Sequence, residues 1–257
     1  MSTEVLRRRF TEIGARLEVR EGVPWRGPVQ VGVGWDRLGE YFDVRLVGEA
    51  AVEVVDVLPK AQHLLLLARH SGEKSKFLCG HDERHWFVAA VPEEARGVSG
   101  VVTAMDALQP PVVREVVERL HPRDRFKRRN VAYVRQGEWF FVPEPSLEVD
   151  HHAVVRNEPI TRGRGQAHVI ELVYRRGGEL AYLASSGEVF SHEEFSALSE
   201  RARREFTWRR FVRDADVYAK GAVRHPDHAR IVLPGWHRVL MNTEQQARAM
   251  RHVVFLD

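Results

Sequence analysis

The densest run of metal-ligand chemistry lies between positions 216 and 242, DVYAKGAVRHPDHARIVLPGWHRVLMN. Here His225, Asp227, His228 and His237 offer three imidazoles and a carboxylate. These are ordinary ligands of zinc and other divalent transition metals, so a zinc or manganese ion is the cofactor the pattern points to. Arg224 or Arg164 would stabilise phosphate charge developing beside such an ion, the chemistry of a metal-dependent phosphodiesterase or nuclease. H-x-x-H across a turn is less specific than H-E-x-x-H on a helix. Solvated turns also collect histidines.

The elements around these residues follow from the local pattern. Val217, Ala219, Gly221 and Val223 alternate with polar or small residues, which predicts a half-buried strand. Pro226 fits the second position of a type I turn. A proline cannot enter the primed turns of a two-residue hairpin. The expectation is therefore a three-residue loop, with His228 in the left-handed region. A return strand runs from Ala229 to Leu233, Pro234-Gly235 breaks it, and Trp236 to Met241 runs on. On this reading His225 and His228 share one sheet end. His237 joins them only if the third strand folds back.

A second constellation is basic. Arg123, Arg125, Lys127, Arg128 and Arg129 lead into Tyr133, Arg135 and Trp139. Cations neutralise phosphates and aromatic faces stack unpaired bases, so this stretch points to RNA or single-stranded DNA as partner. Arg162 and Arg164 alternate with Gly163 and Gly165 in a loop suited to anions. His168 and Glu171 follow on a strand, where a spacing of three sends them to opposite faces. His81, Asp82, Glu83 and His85 form a polar loop between two strands. The arginines from Arg201 to Arg213, around Trp208, alternate with acids and read as a salt-bridged surface. No phosphate-binding loop, dinucleotide fingerprint or nucleophile elbow occurs, and nothing marks Cys79 as activated.

Composition narrows the classes. The chain has 257 residues and a formal net charge of only +3, so any nucleic-acid contact must come from local patches. The single cysteine excludes an internal disulfide and a cysteine zinc site. It suits a reducing compartment, and the N-terminus lacks a signal-like apolar region. The apolar run His63 to Ala68 is too short to span a bilayer. The expectation is a cytoplasmic protein with no membrane contact.

Short strands separated by Gly, Pro and Asp turns fill both halves of the chain. They predict an α+β, β-rich fold with an antiparallel sheet or partly open barrel in each of two modules. A helix is expected over residues 2–14, a helical pair over 100–120, and another helix from a Ser191 cap to Phe206. The linker Pro143 to Ser146 divides 1–145 from 146–257. Three functions fit, in order: RNA or single-stranded nucleic-acid binding, a metal-dependent phosphodiesterase or nuclease, and a non-catalytic assembly or adaptor component. The last would offer Trp25 and Trp35 to a protein partner.

Overall fold

The computed structural model describes residues 2–22, 27–161, 166–248 and 253–255. Trp25, Arg162 and Arg164 lie outside the described residues. The chain divides into two compact units. One is Met1–Phe140 with Asp227–Ala229 and Met241–Asp257, and the other is Phe141–Pro226 with Arg230–Leu240.

The first unit opens with α1 (Thr3–Thr11), which Ser2 caps by accepting the Val5 N–H. Leu6 and Phe10 are its buried face. Strands β1 (Leu17–Glu21), β2 (Val29–Asp36) and β3 (Gly39–Leu46) follow. Next come β4 (Ala51–Leu58), β5 (His63–His70), β6 (Glu73–Asp82) and β7 (His85–Val91), a four-stranded antiparallel meander. Alternation decides what each strand buries. Leu64 and Leu66, with Phe77 and Cys79, pack under Phe10 and Phe42, while Leu65 and Leu78 face Val101 and Ala104. A run of four leucines thus serves two faces at once. Helix α2 (Val101–Leu108) covers the second face, and the Asp56 carboxylate accepts its first N–H, from Val101, at 2.7 Å. Then come α3 (Pro111–Val117) and β8 (Val134–Gln136).

Strand β9 (Trp139–Pro143) carries the chain into the second unit. There β10 (Val155–Ile160) and β11 (His168–Arg176) pair antiparallel. Strand β12 (Glu179–Ala184) joins β13 (Val189–Ser191) and β14 (Trp208–Arg213) in a small sheet. Helices α4 (His192–Ala197) and α5 (Glu200–Glu205) lie between β13 and β14. Strand β15 (Asp216–Arg224) pairs with β11 on one side and β16 (Ile231–Met241) on the other. Finally β17 (Val253–Phe255) pairs with β2.

The architecture is therefore a β-rich α+β fold of several, mostly antiparallel, sheets with short helices; among the described residues none closes into a barrel. Parallel pairing occurs where β1 meets β3 and β17 meets β2. No helix among the described residues is long and apolar enough to cross a membrane.

Three local expectations change. The helix expected from Ser191 to Phe206 is two helices, because Ser199 acts as a second cap and accepts the Ala202 N–H. A glycine pair between two alternating strands, as at Gly177-Gly178, predicts a hairpin of residues 168–174 and 179–183, but β11 and β12 enter different sheets. Gly177 and Gly178, at φ 70° and 84°, make that switch, and a Cβ on Gly178 would lie 2.6 Å from the Arg213 carbonyl oxygen. Third, Pro234-Gly235 does not end the return strand, since β16 runs through it with a change of register against β15.

Candidate metal centre

A single irregularity in strand pairing sets which residues meet at the end of β15. From Val173↔Ala219 to Leu172↔Lys220 the two strands keep one register, and from Ile170↔Val223 to Val169↔Arg224 they keep another. One extra residue of β15 has been absorbed between them. That residue is at Gly221, whose φ of 86° is the left-handed conformation that opens a glycine bulge. Glu171 stands opposite, and its carboxylate accepts the Ala222 N–H at 2.8 Å. Continued one step, the shifted register sets His168 against His225. In the unshifted register His168 would face Arg224. Because side chains alternate, the bulge decides that His168 and His225 share a face.

That face is the one carrying Ile170 and Val223, both fully buried. His168 is 2% exposed, with Ile160 its partner on β10. The His168 and His225 rings stack, with centroids 4.2 Å apart and planes 28° from parallel. His228 comes from the turn itself, three residues after His225, and its placement beside His225 is set by the turn. His168, His225 and His228 each present a ring nitrogen within 4.8 Å of the other two. His225 and His228 keep partial solvent access.

The turn differs from the expected one. It spans residues 225–230, and His228 does not adopt a positive φ. Its centre, Asp227–Ala229, belongs to the first unit, where the Glu83 carboxylate accepts the Ala229 N–H at 2.8 Å and the Gln136 side-chain amide donates to the Ala229 carbonyl at 2.7 Å. The His228 Nδ1 lies 3.4 Å from the same Glu83 carboxylate.

Of the four ligands proposed from the sequence, His225 and His228 are in the group of three; Asp227 and His237 are not. His237 pairs with Ala219, six residues before His225, or about 20 Å along the strand. Its Nδ1 contacts the Gly235 carbonyl at 2.8 Å. Arg224 alternates to the face opposite His225, where it donates to Asn157 at 2.8 Å. His168 is the residue that sequence reasoning passed over as a ligand. The signal that points to it is a glycine inside an alternating strand, which marks a bulge and so a change of face.

The basic stretch is largely committed to its own fold. Arg128 pairs with both Asp82 and Glu83. Burial and the neighbouring Arg135 pull the Arg128 guanidinium down to about 10, which leaves it charged at neutral pH. Arg135 donates to Asp82 at 3.1 Å, and burial depresses it too. Arg125 donates to the carbonyls of Leu120 and Glu118 and so closes the end of α3. Lys127 pairs with Asp124 at 2.5 Å. Arg123 and Arg129 are exposed, and Trp139 is half-buried. His85, the first residue of β7, pairs with Glu40 at 2.7 Å.

Comparison with protein families, with curated proteins and with solved structures finds no match.

Proposed function

We propose that the protein binds a zinc-type divalent ion through His168, His225 and His228, and that the ion is the centre of a hydrolytic activity. The carrying observation is the convergence of three imidazoles at the end of a bulged strand. Three nitrogen ligands suit zinc, cobalt, nickel or copper better than manganese, which favours carboxylate and water. His168, His225 and His228 would hold the ion, and the ion would supply the activation of a water as nucleophile near neutral pH. The partial exposure of His225 and His228 gives that water access. A phosphodiester substrate remains the class to test, with the ion itself meeting the phosphate charge. The commitment of Arg125 and Arg128 to partners within the fold favours this reading over a nucleic-acid surface built on the basic stretch.

The test is metal content followed by turnover. Protein stripped with EDTA and dialysed against zinc should retain one zinc per chain by elemental analysis. It should then hydrolyse bis(4-nitrophenyl) phosphate in a zinc-dependent, EDTA-reversible way. Retained zinc without turnover would leave a structural site and reject the hydrolase. No retained zinc would reject the site.

A further inference from the structure

Glu83 accepts from two donors, Arg128 and the Ala229 N–H, and stands beside the imidazole of a ligand of the proposed centre. Glu83 sits at the β6–β7 turn with φ 49°, a conformation that holds a non-glycine residue only where its surroundings fix it. One carboxylate oxygen pairs with Arg128. The other accepts the Ala229 N–H at 2.8 Å and lies 3.4 Å from His228 Nδ1. Arg135 and Arg128 share Asp82 beside it, so the anion stands in a built network and not on an open surface. Its side chain is only 18% exposed, and that of His228 only 15%.

From this geometry we infer that Glu83 is a positioning residue for the metal centre: it holds the proton of His228 on Nδ1 and so turns the Nε2 lone pair toward the ion. The inference rests on the zinc reading above. A carboxylate behind a ligating imidazole fixes its tautomer and ring orientation and raises its basicity. Glu83 adds a second constraint through the Ala229 N–H, so the carboxylate sets both the turn's backbone and the ring it carries. An amide cannot replace it. Arg128 and Ala229 both present N–H donors, and a glutamine NH2 would have to face one of them.

The experiment has two arms. Long-range proton–nitrogen NMR of the metal-free wild type reads the tautomer directly. The expected result is His228 protonated on Nδ1, and protonation on Nε2 would overturn the inference. In the second arm, zinc affinity and the cobalt(II) visible spectrum are measured for wild type, Glu83→Gln and Glu83→Asp. Glu83→Gln should bind zinc ~10–100-fold more weakly and alter the cobalt band, with Glu83→Asp restoring part of the affinity. Equal affinity and an unchanged band in a Glu83→Gln protein that binds zinc would overturn the inference. If Glu83→Gln does not fold, the tautomer decides. Wild type that takes up no zinc would instead reject the site, and the tautomer would still report on Glu83.

Discussion

Gly221→Ala tests the bulge that aligns His168 with His225. At φ 86° an L-residue is held in the left-handed region, which costs about 1–2 kcal/mol. The added Cβ would stand 2.6 Å from the Glu171 Oε2 and 2.8 Å from its carboxyl carbon. Those atoms end a flexible side chain, so Glu171 can move, but only by giving up its 2.8 Å bond to the Ala222 N–H. A hydrogen bond to a charged group contributes about 1.5–3 kcal/mol. Together the two effects give roughly 2.5–5 kcal/mol. For a chain of this size each kcal/mol lowers Tm by about 2–4 °C, so a loss on the order of 10 °C is expected by circular dichroism. Deleting Gly221 removes the extra residue and leaves a regular ladder in which Ala222 faces Glu171, Val223 still faces Ile170, and His168 and His225 stay opposed. Zinc binding should then persist, because the pairing of the two ligands survives the deletion. A Gly221→Ala protein melting within a degree of wild type would refute the strain argument. A deletion variant that folds and loses zinc would refute the register argument.

Three further outcomes follow from the first unit. Gly80→Ala puts a Cβ 2.6 Å from the His63 ring on the neighbouring strand, and should destabilise by about 1–3 kcal/mol in urea titrations. Burial pushes His63 below the ordinary histidine range, with Arg135, His81 and Arg128 adding to the effect and the Ala61 carbonyl opposing it. The folded state therefore holds His63 neutral while the unfolded chain binds its proton. Its contribution is complete above about pH 6.5 and is lost as pH falls through the lower folded value. His63→Leu should flatten the stability slope between about pH 7 and 5, and an unchanged slope would remove His63 as its source. Burial also pushes the Cys79 thiol far up, so it should ignore a disulfide reagent in the native protein and react at once in denaturant.

Much of the fold was legible because local chemistry and tertiary context agreed. The meander from β4 to β7 follows from alternation and turn residues, and the first helix lies within the span 2–14 expected for it. Where the sequence misled, a single residue carried the decision. Ser199 splits one helix by offering a cap that competes with the apolar stripe. Gly177-Gly178 looks like a hairpin turn, yet it delivers the chain to a different sheet. The site shows the same limit. His225 and His228 are readable as a pair because a turn joins them, whereas His168 is 57 positions away from His225 and meets it only through strand order and a bulge. Spacing along β11 sends His168 and Glu171 to opposite faces, and the structure gives each its own task. One joins the imidazole group, and the other holds the bulge that forms it.

The most direct measurement is zinc titration calorimetry on wild type, His168→Ala and His237→Ala. The structure-based centre requires one zinc per chain in wild type, loss of binding by ~100-fold or more in His168→Ala, and wild-type affinity in His237→Ala. Wild-type affinity in His168→Ala, or loss of binding in His237→Ala alone, would contradict it.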